Sequence, residues 1–529
     1  MKIVTAAEAA TLITDEAHLV VCGTGPVLEP DVLLQALEDR YVAEQHPANL
    51  TLTSTQMVGE RPGIGGLNTF AHPGMLKTFL GSSLSIVRHP AFVEMLRRGE
   101  IEGYMIGMGT ILQTLHAAGS KKPGVFTTVG IGTFLDPRLD GGRMNDRSNR
   151  TIAETAEIQG TEYLFYPASE ANIALIRATA ADEAGYLSME EETNTLGVLD
   201  MALAAKANGG LVIAQVRRVV TQGSLDSRLV KIPGPLVDYV VVNPSQQQLT
   251  TTKPFPGYGD GFNPVYVGAA KDPLSYLKPP PGGPSRIILR RAALELVQGD
   301  VVNLGAGLPT GLPVMSYLYG WEDAVTFTNE HGIFGGLMTS AIGGSFVPAV
   351  NPGAIMDSSF QFAFYDAGLL DVTFLGAGEV DCHGNVNVSK FGNQWVGTGG
   401  FSDIADRTAR IVICGTLTAG GLAAEVREGQ LVVTQEGRHH KYVREVEEVT
   451  LSGAQALKKG QRVTFVTERA VFQLDAGGIV LTEVAPGIDI DRDIRPAVGF
   501  DLRIAPNVGT MPAIVFTDEP LTLTAVRTR

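Results

Sequence analysis

The stretch GDVVNLGAGLP, residues 299–309, is a short apolar run that ends on glycines and a proline. The stretch HLVVCGTGP, residues 18–26, has the same form near the start of the chain. Helical patterns follow both stretches, beginning near Val32 and Val314. Short apolar runs that alternate with helical patterns are typical of α/β layers with a mainly parallel sheet. These residues therefore predict an α/β fold.

The same order of elements recurs in the two halves of the chain. Residues 181–188 match residues 380–387, and each stretch is typical of a hairpin turn. Residues 210–220 match residues 409–417 as apolar strands that follow helical, alanine-bearing sequence. The recurrence predicts an internal repeat.

A stiff connector divides the chain nearly in half. The stretch KPPPGGP, residues 278–284, can continue neither a helix nor a central strand. The sequence therefore predicts two similar open α/β domains with mainly parallel sheets, at residues 1–277 and 285–529. We expect these domains to face one another across a cleft.

Composition narrows the possible function classes. A chain of 529 residues is too long for one hydrophobic core, and 44% hydrophobic with 18% charged residues is typical of a soluble globular enzyme. The net charge is −15 and no basic tract is present, which makes nucleic acid and anionic membrane surfaces poor partners. No apolar run reaches the ~18 residues that a membrane span needs.

The cysteines and the N-terminus indicate the compartment. Cys22, Cys382 and Cys414 lie far apart, which argues against a disulfide framework and a zinc site and favours a reducing compartment. Met1-Lys2 leads into helical sequence and not into a signal peptide. We therefore expect a cytoplasmic protein.

The stretch TNEHGIFGG, residues 328–336, places one carboxylate, Glu330, in an uncharged loop rich in glycine. Three interpretations fit these residues. Glu330 caps nearby backbone, or it acts as a general base beside His331, or it is a nucleophile. A carboxylate is a poor nucleophile and needs a good electrophile such as a thioester, since a thiolate leaves more readily than an alkoxide or an amine.

Two further loops are rich in glycine. Residues 304–311, LGAGLPTG, depart from the dinucleotide-binding pattern because the third glycine is displaced and Pro309 interrupts the helix start. Residues 397–404, GTGGFSDI, form the second loop. Each loop is either a tight turn or a set of backbone N–H donors for an anion or a developing oxyanion. His439 and His440 have no further ligands that the sequence reveals, so no metal site is predicted.

The order of these motifs resembles the class I coenzyme A transferases, in the single-chain form that fuses two subunits and in the acetate/propionate type. The resemblance covers nearly the whole chain. Its motifs in the second half are VNLGAGLP at 302–309, NEHGIFGG at 329–336, DAGLLDVTFLGA at 366–377, DCHGNVNVS at 381–389, GTGGFSDI at 397–404, GTLTAGG at 415–421 and APGID at 485–489. Those in the first half are KPGV at 122–125, VGIGTFLDPR at 129–138, YLFY at 163–166, GGLVIAQV at 209–216 and KIPGPLVDYV at 231–240.

The resemblance implies that Glu330 attacks an acyl-CoA thioester in a ping-pong reaction with a free carboxylic acid. Glu330 then carries the acyl group as a mixed anhydride, which the released CoA thiolate converts into a glutamyl–CoA thioester. The glycines around Glu330 are expected to let substrate and CoA approach the backbone. Coenzyme A is thus a substrate and not a tightly bound cofactor, and relatives of this type are usually homo-oligomers.

The resemblance also implies which residues supply oxyanion donors and hold the CoA. They are Gly305, Ala306, Gly307, Leu308, Pro309, Gly399 and Gly400. The first half has no counterpart of Glu330 in this comparison, so we expect it to form the wall that binds the acid.

One departure from the family concerns the acid. Relatives that use short acids carry NLPQG where this chain reads MIGMG at 105–109, so Met108 replaces a glutamine thought to bind the acid's carboxylate. A thioether donates no hydrogen bond. The sequence predicts a preference for acids larger or more apolar than acetate, unless another side chain replaces the glutamine.

Hypotheses from other classes remain open on the sequence alone. The chain is a thioester hydrolase or a subunit of a decarboxylase complex on this fold if water, and not a carboxylate, completes the turnover. It is a non-catalytic CoA-binding protein if Glu330 only caps backbone.

Overall fold

A computed structural model of the chain describes residues 1–251, 261–280 and 282–522. Its two largest sheets have ten strands each, and each sheet is built from one half of the chain. The first sheet contains, in spatial order, Lys2–Ile3, Tyr239–Val242, Leu211–Val220, Ile173–Asp182, His18–Val21, Leu50–Ser54, Leu76–Gly81 and Glu102–Met105, with Leu187–Ser188 and Val230–Ile232 paired at its side.

The second sheet repeats the arrangement of the first. Five neighbouring strands in each sheet run parallel to one another and follow the same chain order. The predicted α/β class with mainly parallel sheets is therefore confirmed. The second sheet contains, in spatial order, Ala354–Ile355, Ile333–Phe334, Thr326–Asn329, Val301–Leu304, Val372–Leu375, Arg410–Cys414, Arg462–Val466, Ala470–Asp475, Gly478–Val484 and Arg503–Thr510.

Smaller sheets lie at the edges. They pair Leu337–Met338 with Ala349–Val350, Glu379–Val380 with Val386–Asn387, Lys390–Phe391 with Gln394–Trp395, Thr418–Ala419 with His439–His440, Ala423–Arg427 with Gln430–Gln435, and Gly124–Thr127 with Thr161–Pro167 and Glu154–Ile158. Both predicted hairpins are present, since Leu187–Ser188 turns back on Ile173–Asp182 and Val386–Asn387 on Glu379–Val380.

Helices pack on the two sheets and between them. The α-helices are Ala6–Thr11, Asp31–Glu44, Pro90–Arg97, Met108–Gly119 and Val198–Ala207 in the first half, and Pro284–Ala293, Gly311–Tyr319, Ser358–Asp366, Phe401–Arg407 and Gly453–Lys458 in the second. Short 3-10 helices are Gly66–Phe70, Gly234–Leu236, Pro264–Val267, Leu308–Thr310, Glu322–Ala324, Thr339–Ile342, Arg495–Ala497 and Ala513–Phe516, and Ile490–Ile494 is a π-helix.

One buried cluster joins the two halves. Met108 and Leu112, on a helix of the first half, pack against Phe362, Tyr365 and Ile404 of the second half. All five side chains are almost fully buried. Apolar burial of this extent stabilises a contact by about 25 cal/mol per Å² of area removed from water. Packed apolar side chains from both halves therefore fill the bottom of the cleft between them.

A carboxyl group of the second half completes this helix. The helix Met108–Gly119 begins after Gly107, whose lack of a side chain leaves the first N–H groups uncapped from within the helix. Asp403 accepts hydrogen bonds from the N–H of Thr110 at 3.0 Å and from its hydroxyl at 3.1 Å. Burial first, and then the nearby Asp366, raise the pKa of the Asp403 carboxyl well above its usual range.

The predicted connector overlaps the start of a helix. The helix Pro284–Ala293 begins with Pro284, because a proline is well suited to the first turn, where its missing N–H costs nothing. Pro284 is thus the first residue of a helix, and Pro281 lies outside the described residues. The boundaries at 277 and 285 remain predictions.

Two kinds of feature are absent from the residues that the structure describes. Within them, no helix has the length and apolar character that crossing a membrane requires. Nor do the described residues bring together three or more His, Cys, Asp or Glu side chains that could hold a metal ion.

Candidate active site

Glu330 lies at the carboxyl end of a central parallel strand. The strand Thr326–Asn329 pairs in parallel with Val301–Leu304, and Glu330 follows it directly. The chain then turns through Gly332, with φ of 92°, into the antiparallel strand Ile333–Phe334. The carboxyl ends of parallel strands are where open α/β sheets bind their ligands.

The glycines after Glu330 serve the packing of the backbone. A Cβ on Gly332 would lie 2.0 Å from the carbonyl oxygen of Met356, and one on Gly336 would lie 2.6 Å from that of Val350. Both glycines also have positive φ, of 92° and 78°. The expectation that they let substrate approach is wrong for these two positions, because each faces neighbouring chain.

The partner of Glu330 comes from the first half. The Nε2 of Gln56 donates a hydrogen bond to Oε1 of Glu330 at 2.7 Å. Gln56 follows the strand Leu50–Ser54 and is only 6% exposed. Gln56 could not be recognised from the sequence, because its surroundings, STQMVGE, carry no chemical signal of their own.

Gln56 and Glu330 occupy equivalent positions in the two sheets. In the first sheet, the strand His18–Val21 leads to the loop glycine Gly23. The strand residue three positions before this glycine pairs with Thr53, and Gln56 lies three residues beyond Thr53. In the second sheet, the strand Val301–Leu304 leads to the loop glycine Gly305. The strand residue three positions before this glycine pairs with Phe327, and Glu330 lies three residues beyond Phe327. The first half therefore does contain a counterpart of Glu330, and it is an amide.

Two donors hold the other end of the Gln56 amide. The hydroxyl of Thr24 donates to Oε1 of Gln56 at 2.5 Å, and Nε2 of His331 lies 3.0 Å from the same oxygen. Burial lowers the pKa of His331 to about 3, so its ring is neutral near pH 7. An ionised carboxylate only accepts hydrogen bonds, so the NH2 end of Gln56 must face Glu330 and the ring must donate through Nε2.

The interpretation of Glu330 as a general base, with His331 as its titrating partner, finds no support in this geometry. Nε2 of His331 lies 3.8 Å from Oε1 of Glu330, beyond hydrogen-bond distance, and is engaged with Gln56. Burial lowers the pKa of His331 to about 3, so its ring is also a weak base near neutrality. His331 orients the amide instead.

The Glu330 carboxyl has an elevated pKa. Burial raises its pKa to about 7, and the hydrogen bonds from Gln56 and from the N–H of Gly400 oppose this rise. A Cβ on Gly400 would lie 2.2 Å from Oε2 of Glu330, so only glycine fits beside the carboxylate. A poorly hydrated carboxylate of raised pKa is more basic and more nucleophilic than an exposed one.

The loop of residues 397–400 is clamped by the first half. The N–H of Gly399 donates to the carbonyl of Ser82 at 2.8 Å, and the N–H of Met108 donates to the carbonyl of Gly399 at 2.9 Å. A Cβ on Gly397 would lie 2.4 Å from the same Ser82 oxygen. The N–H of Gly399 is thus already bonded, which does not fit its predicted role as an oxyanion donor. The N–H of Gly400 faces the carboxylate instead.

The loop that begins at Gly305 contributes part of the same wall. The N–H of Gly305 donates to the carbonyl of Phe374 at 2.8 Å, so it too is occupied. Gly307 is exposed, and Leu308–Thr310 form a 3-10 turn outside the wall. The predicted site residues that line one cavity are Glu330, Gly305, Ala306, Gly399 and Gly400, whereas Gly307, Leu308 and Pro309 lie outside it.

The cavity beside Glu330 has a volume of about 840 Å³. Much of its wall is backbone and apolar side chain, with Phe346, Leu375, Phe391, Phe401 and Ile404 among the larger members. Ser83 comes from the first half, so both halves contribute to the wall. An apolar lining with few charges keeps water away from reactive intermediates.

A segment with two histidines and a lysine in the cavity wall was not identified as functional from the sequence. His439, His440 and Lys441 line the cavity. Desolvation lowers the pKa of Lys441. Within the described residues Lys441 forms no ion pair, so its ammonium group is available to an anionic ligand.

Met108 lies beneath the site and not in its wall. It is fully buried at the start of the helix Met108–Gly119, and its Sδ lies 2.8 Å from Nε2 of Gln56. Its influence on the choice of acid remains a prediction. The side-chain amide of Gln56 lies next to Met108.

Comparison with known proteins identifies the family. A family model of coenzyme A transferases matches residues 3–243. Acetate CoA-transferase YdiF of Escherichia coli K12 is 39% identical over 520 residues, which cover 98% of this chain and 96% of YdiF. This chain belongs to the coenzyme A transferase family. A second CoA-transferase, the caffeate CoA-transferase of Acetobacterium woodii, is 36% identical over 533 residues, or 98% of each chain.

A solved CoA-transferase has the same fold. The crystal structure of the acyl-CoA transferase YdiF from Escherichia coli O157:H7, in a thioester complex with CoA, is similar with a TM-score of 0.91 at 38% identity, covering 98% of this chain and 96% of that one. The protein is thus an enzyme, a CoA-transferase that moves CoA between an acyl-CoA and a carboxylate. The hypothesis of a non-catalytic CoA-binding protein is therefore wrong.

Proposed function

We propose that this CoA-transferase works by a ping-pong reaction in which Glu330 is the nucleophile. The observation that carries the proposal is the position of its carboxylate. It stands at a strand end, receives hydrogen bonds from Gln56 and Gly400, and opens onto a cavity of about 840 Å³. The raised pKa, about 7, gives a poorly hydrated carboxylate that is about half ionised at pH 7 and mostly ionised at higher pH.

The first half-reaction needs no proton transfer. An oxygen of Glu330 attacks the thioester carbonyl carbon, the C–S bond breaks, and CoA leaves as the thiolate. The thiolate then attacks the glutamyl carbonyl of the mixed anhydride, and the first acid leaves as its carboxylate. A glutamyl–CoA thioester remains, and an acceptor carboxylate runs both steps in reverse.

Fixed hydrogen-bond donors therefore matter more here than acid–base groups. Each step passes through a tetrahedral oxyanion, and prearranged N–H donors stabilise such a charge without reorganisation. The N–H of Gly400 and the amide of Gln56 both point at the carboxylate before reaction. His331, neutral and bonded to Gln56, is not needed as an acid or base.

The cavity accounts for CoA as the common substrate. We propose that CoA extends along the wall that runs from Glu330 to the segment 439–441, with Lys441 paired to an anionic part of the molecule. The support is that Lys441 carries a partly desolvated charge with no ion pair among the described residues. Binding energy gained there can be used to hold the thioester against Glu330.

The acceptor is proposed to be a short-chain or somewhat larger carboxylic acid. Its support is the pair of relatives, whose names give acetate and caffeate as their acids. A homo-oligomeric assembly rests on the family resemblance alone, and a cytoplasmic location on composition and cysteine usage.

Mass spectrometry of the intact protein tests the mechanism. With acyl-CoA and no acceptor, the enzyme should gain the mass of CoA on the peptide that contains Glu330, and borohydride should inactivate it. Glu330→Ala should abolish both responses. A full exchange rate in that variant would refute the assignment, and CoA release without an acceptor would indicate a hydrolase.

A further inference from the structure

We propose that Gln56 is a catalytic residue whose Nε2 stabilises the oxyanion that forms on Glu330 itself, at Oε1, each time the glutamyl carbonyl is attacked. This inference rests on the proposed role of Glu330 as the nucleophile. It goes further because it gives the two oxygens of Glu330 different tasks and assigns the donor to the first half of the chain.

The two carboxylate oxygens have different surroundings. Oε1 receives the hydrogen bond from Gln56, which is buried and is not part of the cavity wall. Oε2 lies against Gly400, which does line the cavity. Oε2 is therefore the oxygen presented to the thioester, and Oε1 is held behind it.

The bond changes place negative charge on Oε1. Oε2 bonds to the acyl carbon, the C–S bond breaks, and CoA leaves as the thiolate. The thiolate then attacks Cδ of Glu330, and the electron pair of the Cδ–Oε1 double bond moves onto Oε1. The Cδ–Oε2 bond breaks, the first acid leaves with Oε2, and the carbonyl at Oε1 re-forms. The acceptor acid passes through the same tetrahedral state in reverse.

Nε2 of Gln56 is in place before any of these steps. At 2.7 Å from Oε1 it is already at hydrogen-bond distance, and a charged acceptor strengthens such a bond. The oxyanion localises on one atom a charge that the carboxylate shares between two. The donor therefore stabilises the tetrahedral state more than the ground state, which is what accelerates a reaction.

Thr24 and His331 act as positioning residues for this donor. Their hydrogen bonds to Oε1 of Gln56 leave its NH2 group facing Glu330. The buried ring of His331 stays neutral, so it brings no competing charge to the carboxylate. A donor fixed in this way needs no reorganisation when the charge develops.

Met108 completes the surroundings of the amide. Its Sδ lies 2.8 Å from Nε2 of Gln56, so the sulfur receives the second N–H. A thioether accepts weakly and donates nothing, so it cannot compete with Gln56 for Oε1. Gln56, which follows the strand Leu50–Ser54, thus places a side-chain amide next to Met108, the position where relatives have a glutamine.

The experiment follows formation of the glutamyl–CoA thioester in a single turnover with an acyl-CoA and no acceptor. We expect Gln56→Leu to form this adduct about 10²- to 10³-fold more slowly than the wild type, the loss typical of one oxyanion donor. The acid limb of its pH–rate profile should move to higher pH, because the carboxylate loses a donor that opposes the rise of its pKa. The dissociation constant of CoA should not change, since Gln56 lies outside the cavity wall.

A second pair of variants guards against a folding defect. Thr24→Val removes one of the two bonds that orient Gln56, so adduct formation should slow and the acid limb should again shift, and Thr24→Ser should restore both. A merely structural lesion lowers the active fraction and leaves the midpoint of the pH profile unchanged. The wild-type rate and midpoint in Gln56→Leu, or in Thr24→Val if Gln56→Leu does not fold, would overturn the proposal and leave the role of Glu330 intact. A wild type that forms no adduct would overturn both.

Discussion

The carboxyl group of Asp403 accepts hydrogen bonds from the N–H and the hydroxyl of Thr110, across the boundary between the two halves. Asp403 stands three residues after Gly400, whose N–H faces the nucleophile. The cap of one helix and the wall of the active site are thus parts of the same short segment. This segment therefore takes part both in the packing of the halves and in the surroundings of Glu330.

Replacement of Asp403 should affect stability in a manner that depends on pH. Asp403→Ala removes the helix cap and should lower the free energy of unfolding by about 1–2 kcal/mol. The pKa of Asp403 is raised in the folded state, so its contribution to stability is present below the unfolded pKa of 3.8 and is lost as pH rises through the folded value. Asp403→Asn keeps an acceptor and cannot ionise, so it should gain stability relative to the wild type as pH rises above the unfolded pKa of 3.8, for example from pH 4 to pH 8.5. Urea unfolding at both pH values checks this, and a difference that does not change with pH would contradict it.

Glu330 should itself reduce the stability of the enzyme at alkaline pH. Its pKa rises from 4.5 to about 7 on folding, so the folded state is favoured while the group is protonated and loses that advantage as pH rises through about 7. At 1.36 kcal/mol per pKa unit, Glu330→Gln should be more stable than the wild type by up to about 3 kcal/mol at pH 8.5, with little difference near pH 4.5. Thermal unfolding of both proteins across this range gives the comparison. A less stable variant at pH 8.5 would show that the charge is better solvated than its burial indicates.

A methyl group at position 400 should disable the nucleophile without disturbing the backbone. Gly400 has φ of −90°, which any residue adopts, but a Cβ there would lie 2.2 Å from Oε2 of Glu330. Gly400→Ala should therefore fold and bind CoA, yet form the glutamyl adduct at least about 10²-fold more slowly, as for loss of an aligned reacting group. The matched control is Gly376→Ala, also in the cavity wall, where a Cβ meets nothing within 4 Å. Equal adduct rates in the two variants at saturating acyl-CoA would contradict the prediction.

Removal of the charge at Lys441 should weaken the binding of acyl-CoA. A charge-assisted hydrogen bond contributes roughly 1.5–3 kcal/mol, so Lys441→Met should raise KM for acyl-CoA by about 10- to 100-fold with a smaller effect on kcat. The rise of KM with ionic strength should also become shallower, and Lys441→Arg should restore most of the affinity. Steady-state kinetics at two salt concentrations measure both effects. An unchanged KM in Lys441→Met would exclude the proposed contact.

The choice of acid tests the interpretation of Met108. Each additional methylene buried in an apolar site contributes about 0.8 kcal/mol, or roughly a fourfold gain. We expect kcat/KM to rise from acetate through propionate to butyrate. If acetate is the best acid of the series, the interpretation of Met108 is wrong.

The repeat and the place of Glu330 could be predicted from the sequence because both depend on local patterns. An apolar run before glycines marks a strand end, and one carboxylate in an uncharged loop stands out. Gln56 could not be found in this way, since its partner is 274 residues away and the register of two different sheets brings them together. Nor does a run of glycines reveal that the N–H of Gly399 is taken by a carbonyl and that of Gly400 is free for the carboxylate. Lys441 escaped notice for a similar reason, because a lysine in a polar hairpin is ordinarily solvated.

The equivalence of Gln56 and Glu330 limits how alike the two halves can be. Two identical halves in this arrangement would bring a second carboxylate to the place of the Gln56 amide, 2.7 Å from Glu330. Two carboxylates at that distance cannot both ionise, so they would share one proton, as in an acidic dyad. The second carboxylate would raise the pKa of the nucleophile further, so Glu330 would be a neutral acid over a wider range of pH. A nucleophilic Glu330 at one strand end therefore requires an uncharged residue, Gln56, at the equivalent strand end. For this chemistry the two halves of the duplicated fold must differ at this pair of positions.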